Sequence, residues 1–234
     1  MSVTRSGNGL AGDSRAVDRV SSAAMNGKVT RLLLIRHAET DWNRDGRFQG
    51  HADVPLNGAG REQARRLARR LAGEVLAAVY SSDLLRARQT AEHVAQAAQV
   101  PLRMRPALRE ADLGAWSGLT RDEIVRQFPD EWDGWVSGVD GARTAAESYA
   151  AVQARAVRAV DEIVASHAGE SVAVVSHGGT LKAIICHVLG LGLEHMPAFS
   201  AGMNTAISVI EYPVGHGERD PLAPRDRGRR GKLI

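Results

Sequence analysis

Apolar residues in this chain fall in short runs that alternate with longer segments of helical period. Residues 32–35, Leu-Leu-Leu-Ile, are apolar at every position. Such a run suits a strand buried on both faces of a parallel sheet, not one with a wet side. A first strand is therefore predicted over residues 31–36. Residues 77–81, 101–105 and 172–176 read as further strands, and 204–211 alternates as a final one. Asn57 can cap a helix over 58–72, with Leu67 and Leu71 on its apolar edge and arginines over the rest. Ser82 or Asp83 can cap a helix reaching Ala98, with Leu84, Ala87, Ala91 and Val94 on one side. Further helices are expected over 144–167 and from residue 178 to about Leu189. The alternation predicts an α/β fold with a mostly parallel sheet.

Two of these strands end alike. The first runs into Arg36-His37, the later one into Ser176-His177-Gly178-Gly179. In open α/β sheets ligands bind beyond the carboxyl ends of the strands. If the two strands share one parallel sheet, both imidazoles emerge on one edge. Arg86, in the first turn of a helix after residue 81, starts near that edge too. Two imidazoles beside two guanidinium groups make a site for an anion, and phosphate fits best. The polar loop 37–56 is long enough without structure of its own to be expected to carry function.

Phosphoester cleavage needs fixed cations on the phosphoryl oxygens, a nucleophile and a proton donor. Arg36 and Arg86 supply planar forks for phosphate, and His177 adds a donor. His37 is the candidate nucleophile, because a neutral imidazole can form a phosphohistidine near neutral pH. Glu110, which opens a loop after a short strand, is the candidate acid and base. Glu147 and Asp112 stay open as alternatives for that role.

Composition adds limits. The chain has 234 residues, is 44% hydrophobic and carries a net charge of +3. The basic balance lies in the tails: residues 1–28 are net +2, 213–234 are net +3, and the middle is −2. That distribution argues for solvated tails and against a nucleic-acid face. No run is long enough for a membrane helix, and the first 27 residues hold no apolar core of a signal peptide. The single cysteine, Cys186, excludes a disulfide framework, so a cytoplasmic protein is expected. Residues 1–28 read as a disordered extension, with Met25 as an alternative start, and 213–234 as a disordered basic tail. The folded domain then spans 29–212. Within it, residues 111–150 hold eight acids against three arginines and three of the four tryptophans. They read as a partly helical cap inserted beside the site. His51, His93, His167, His187 and His195 show no metal-ligand spacing and are expected to be surface or packing residues.

The segment Arg36-His37-Ala38-Glu39-Thr40-Asp41-Trp42-Asn43 resembles the signature of the histidine phosphatase superfamily, which includes the cofactor-dependent phosphoglycerate mutases. The resemblance continues through Gln49-Gly50, Asp53-Val54-Pro55-Leu56-Asn57, Ser81-Ser82-Asp83-Leu84 with Arg86, Leu108-Arg109-Glu110, Glu147-Ser148 and Val175-Ser176-His177-Gly178-Gly179. It covers about residues 31–211, in the family's order. It implies a three-layer α/β sandwich of the phosphoglycerate mutase-like kind with a small helical cap. It implies His37 as the phosphorylated nucleophile and Glu110 as the general acid and base. Arg36, Arg86 and His177 become the phosphate pocket, with Asn43 and Gln49 near the substrate. It implies no metal, and no cofactor is expected. Ala38 and Ala145-Ala146 depart from the glycines usual at those places.

The expected activity is metal-independent hydrolysis of a small phosphorylated metabolite through a phosphohistidine. The alternative is a cofactor-dependent phosphoglycerate mutase. A mutase must hold a second anionic group, whereas this cap is net −5. That charge favours a phosphatase and suggests a substrate with one phosphate and an uncharged or aromatic remainder. The expected partner is the small substrate, not nucleic acid or a membrane, and a homodimer stays open.

Overall fold

The computed structural model describes residues 29–139, 141, 143–214 and 231–233. Six strands form one sheet in the order β3-β2-β4-β1-β5-β6. They are β1 (Val29–Arg36), β2 (Leu76–Ser81), β3 (Leu102–Met104), β4 (Ser171–Ser176), β5 (Ile207–Pro213) and β6 (Lys232–Leu233). The four strands β3, β2, β4 and β1 run parallel, while β5 and β6 are antiparallel additions at the β1 side.

Helices cover both faces, which explains the unbroken apolar run in β1. Leu32 and Leu34 pack on one face against Ala156, Val160 and Ile163 of α6 (Tyr149–Ser166) and Leu181 and Ile184 of α7 (Gly178–Leu189). Leu33 and Ile35 pack on the other against Leu67 and Leu71 of α2 (Gly58–Leu71) and Ala87, Ala91 and Val94 of α3 (Leu85–Ala98). A strand sandwiched this way has no wet face on which polar residues would be selected. The cap holds two short helices, α4 (Arg121–Gln127) and α5 (Pro129–Val136), over a separate aromatic cluster.

The boundaries differ from expectation where side chains are used elsewhere. Asn57 does cap α2, accepting from the Gly60 N–H at 2.7 Å. For α3 neither Ser82 nor Asp83 is the cap. Leu84 holds that position, and Asp53, from the loop after β1, accepts the Leu85 N–H at 2.5 Å. Asp83 is taken instead by the Arg109 guanidinium, at 2.8 and 2.6 Å. The 144–167 helix starts only at Tyr149, where Ser148 caps it; upstream, Ala145 sits at φ 54, which no helix continues. The loop 37–56 contains one helical turn, α1 (Asp41–Arg44), with Thr40 and Asn43 forming a capping box.

The final strand begins three residues later than expected, because Thr205 adopts φ 63 and breaks the extended run. It ends at Pro213, and Lys232 and Leu233 pair with Glu211 and Ile210. Part of the segment expected as a disordered tail therefore forms the edge of the sheet. Residues 1–28 and 215–230 lie outside the described residues.

Asp53 ties the β1 loop to α3 through one hydrogen bond, so Asp53→Ala should cost about 1 kcal/mol of stability, the usual worth of a helix cap. Urea denaturation measures it; an unchanged midpoint would show that the cap contributes nothing.

Candidate active site

The register pairs Arg36 with Ser176, so His37 and His177 leave adjacent strands side by side. The His37 N–H continues the ladder onto the Ser176 carbonyl at 2.9 Å. The two ring centroids lie 5.2 Å apart. His37 Nδ1 is 2.7 Å from the Ala38 carbonyl. A carbonyl can only accept, so Nδ1 carries the hydrogen and Nε2 keeps a free lone pair. Burial first, and then the Arg86 and Arg36 charges, push the His37 pKa well below its ordinary value, against a smaller upward pull from the Ala38 carbonyl. The imidazole is therefore neutral at physiological pH.

The guanidinium groups are held by main-chain oxygens. Arg86, 1% exposed, donates to the Ala52 and Gly50 carbonyls, each at 2.8 Å. Burial draws its pKa down to about 10. Arg36 donates to the Gly202 carbonyl at 2.8 Å. Each retains an Nε–H with no partner. Among the described residues four buried side-chain polar atoms are unpartnered: Arg36 Nε, Gln49 Oε1, Arg86 Nε and His177 Nδ1. All four belong to residues singled out from the sequence. Buried polar groups are nearly always satisfied, so their convergence marks a place for a polar ligand.

His177 lies beneath the cavity wall and is fully buried. Ser82 Oγ is 2.8 Å from its Nε2 and also accepts the Leu84 N–H at 3.3 Å. If the serine hydroxyl gives its hydrogen to Nε2, Nδ1 carries the ring hydrogen, the tautomer an anion would call for. Burial, followed by Arg86 and His37, holds the His177 pKa well below its ordinary value.

Glu110 lines the same cavity. Its Oε1 accepts from the Ala111 and Thr180 N–H groups, both at 3.0 Å, and from the Thr180 hydroxyl at 3.2 Å. Its Oε2 accepts only the Gly179 N–H, at 2.9 Å. The carboxyl group thus sits at the N-terminus of α7, held by the first backbone N–H groups of that helix. A Cβ on Gly179 would stand 2.6 Å from Glu110 Oε1, so this position has no room for any side chain. The two alternative acids are elsewhere: Glu147 is clamped by Arg155 at 2.8 Å, and Asp112 faces His51 at 3.9 Å. Neither lines the cavity.

Asn43 and Gln49 both line it. The Asn43 side-chain oxygen serves the Thr40 capping box and accepts from Asn204 Nδ2 at 3.3 Å, while Gln49 is buried with its own oxygen free. Sequence reasoning missed Asn204, whose Nδ2 also donates to the His37 carbonyl at 2.8 Å, together with Ser82 and Thr180. Asn204 and Thr180 act through contacts that no local motif announces, and Ser82, though part of the quoted signature, reads from the sequence only as a helix cap.

The cavity encloses about 510 Å³ between the strand ends and the cap. Trp116 and Trp135 line it while also packing with Phe48 and Trp132, so they are both core and wall. None of the described acidic cap residues lines it. Glu123 pairs with Arg47, Glu131 accepts from Trp116 Nε1, and Asp122, Asp130 and Asp133 are exposed. Among the described residues the charged groups on the wall are Arg36, Arg47, Arg86, Arg143 and Lys182, against Glu110. The cap's negative composition thus gives no negative cavity, and an uncharged remainder no longer follows from it.

Residues 32–220 match the model of the histidine phosphatase superfamily, branch 1. The chain belongs to this superfamily. It is 34% identical to phosphoserine phosphatase 1 of Hydrogenobacter thermophilus over 183 residues, covering 78% of this chain and 86% of that one. It is 35% identical to a metal-independent phosphoserine phosphatase of Arabidopsis thaliana over 189 residues, covering 78% and 76% of the two chains. The solved structure of a mycobacterial glucosyl-3-phosphoglycerate phosphatase with VO3 superposes with a TM-score of 0.75, at 31% identity, covering 87% of this chain and 96% of that one. Membership in this superfamily, with relatives such as these, makes the protein a phosphoric monoester hydrolase.

Because both histidines are held neutral, the unfolded chain takes up protons that the folded one refuses as pH falls through 6.5, the ordinary histidine value. Stability is present above that pH and is lost below it, by at most about 1.4 kcal/mol per pH unit for each histidine. His177→Gln should flatten the fall measured by urea denaturation between pH 7 and pH 5. Equal slopes in the two proteins would refute a neutral, buried His177.

Proposed function

We propose that the protein hydrolyses a small phosphorylated metabolite without a metal, through a phosphohistidine at His37. The convergence of unpartnered nitrogens from Arg36, Arg86 and His177 around the His37 ring carries this reading. Two guanidinium groups held by backbone carbonyls present their remaining N–H groups to a phosphoryl group in a fixed geometry, which is where phosphoryl-transfer catalysis gets most of its rate.

In the first step His37 Nε2 bonds to phosphorus as the ester P–O bond breaks. Glu110 gives the leaving oxygen its proton from Oε2, the carboxyl oxygen with only one donor on it. Water then enters. Glu110 takes its proton, the oxygen bonds to phosphorus, and the P–N bond breaks to free His37 and inorganic phosphate. Asn43 and Gln49 contact the substrate from the β1 loop. Ser82, Thr180 and Asn204 are positioning residues for His177, Glu110 and His37. The single described cysteine, Cys186, is buried and unpaired, in keeping with a cytoplasmic setting.

A phosphoglycerate mutase would use the same nucleophile, but the phosphatases among the relatives favour hydrolysis. Phosphate release from p-nitrophenyl phosphate should survive EDTA and fall at least about a thousand-fold in His37→Ala. Glu110→Gln should cost about a hundred-fold or more on alkyl phosphates and less on p-nitrophenyl phosphate, whose leaving group departs without a proton. Activity abolished by EDTA, activity retained by His37→Ala, or faster interconversion of 3- and 2-phosphoglycerate than hydrolysis would each overturn this reading.

A further inference from the structure

Two cations on the cavity wall are not used by the reaction above. Arg36 and Arg86 serve the phosphoryl group. Arg47 is engaged by Glu123 at 3.1 Å and by the Gly118 carbonyl at 2.7 Å. Arg143 and Lys182 remain. Lys182 Nζ donates to the Met196 carbonyl at 2.8 Å and stands 5.8 Å from the centre of the Phe199 ring. An ammonium has three donors, and no carboxylate among the described residues answers the other two. Arg143 is 5% exposed and donates to the Glu147 carbonyl at 2.9 Å. Its guanidinium lies 5.1 Å from the Tyr149 ring centre and 5.9 Å from that of Trp116, and it too has no carboxylate partner among the described residues. The Glu110 charge reaches Lys182 without pairing it, and withdrawing cations from water without a paired carboxylate is costly unless a ligand supplies one.

Their position says which part of the ligand that is. Glu110 accepts from the Gly179 N–H, and Lys182 follows Gly179 by one turn of α7 on the cavity wall. A Cβ on Gly179 would touch both Glu110 Oε1 and the Tyr149 hydroxyl, each at 2.6 Å, so Tyr149, with Arg143 over its ring, closes on the same spot. Glu110 is the group that protonates the leaving oxygen. The alcohol released from phosphate therefore passes beside Lys182 and Arg143.

We propose that Lys182 and Arg143 form a carboxylate-reading subsite, so that the substrate is a phosphomonoester whose alcohol part bears a carboxylate near the ester. This rests on the hydrolase reading and narrows its substrate class. A carboxylate matches the subsite better than a second phosphate. Arg143 stands over aromatic rings and Lys182 offers two free hydrogens, enough for two oxygens, whereas the phosphoryl cradle uses the two guanidinium groups of Arg36 and Arg86. Phosphoserine and esters of 3-phosphoglycerate, which the names of the relatives carry, both belong to this class.

The test compares kcat/KM within two matched pairs: phosphoserine against phosphoethanolamine, and 3-phosphoglycerate against glycerol 3-phosphate. Each pair shares its phosphoester and differs in the carboxylate. Wild type should prefer the carboxylate member by about ten-fold or more, as expected for hydrogen bonds to charged groups. Lys182→Met should bring the ratio near one, chiefly through KM of the carboxylate member, and Lys182→Arg should restore part of it. A wild type with no preference, or a Lys182→Met protein that loses both members of a pair equally, overturns the subsite. Faster hydrolysis of 2,3-bisphosphoglycerate than of 3-phosphoglycerate would replace it with a second phosphate site. Absence of release from every ester, p-nitrophenyl phosphate included, would instead overturn the hydrolase reading beneath it.

Discussion

Two guanidinium groups held by main-chain carbonyls, Arg86 buried and Arg36 half-buried, are the constraint on which the rest of the site depends. Arg86 is held by Gly50 and Ala52, and Arg36 by Gly202. Carbonyl oxygens fix a cation's direction without neutralising it. Burial keeps His37 and His177 neutral and the arginine charges add to it, and a neutral His37 is what nucleophilic attack requires. A carboxylate in place of those carbonyls would satisfy the arginines and remove the charge's share of that effect.

The same constraint explains why the β1 loop, irregular over most of its length, is anchored at so many points. It must deliver two carbonyls to Arg86, so its own course has to be fixed. Asp53 ties it to α3, Gln63 accepts the Glu39 N–H at 2.9 Å, and Leu56 bonds through its N–H to Gln89 at 2.9 Å. Thr90 accepts the Ala38 N–H at 3.0 Å while donating to the Arg86 carbonyl at 2.7 Å, so one hydroxyl couples the residue after His37 to the helix that carries Arg86. Ala38 is fully buried, and a methyl group is accommodated where the family often has glycine.

The parallel core and its two histidines were legible because an unbroken apolar run suits a doubly covered strand, and ligands bind beyond the carboxyl ends of such strands. His37, Arg36, Arg86 and Glu110 each stand at an element's end, and the sequence marks such ends. Local rules failed where a side chain had a distant use. Asp83 looks like a cap until Arg109 claims it, and Asp53 looks like a loop residue until α3 needs an acceptor. The cap was misread for a different reason. Counting its charges gave the sign of the segment, but a cavity feels only the groups that face it, and Lys182, outside the segment, and Arg143, its one inward cation, set that sign. No count along the chain shows which way a side chain turns.

A cradle ordered before anything binds has a further effect. It recognises a tetrahedral oxyanion by its oxygens alone, and inorganic phosphate presents nearly the same oxygens after the alcohol has gone as the ester did before. The rigidity that favours attack therefore also retains the product. Whatever distinguishes a fresh ester from spent phosphate has to lie in the part of the cavity beneath the cap, where only the ester has atoms to place. On the proposed reading the cap therefore does more than choose among substrates, because its contacts are what separates an ester from free phosphate.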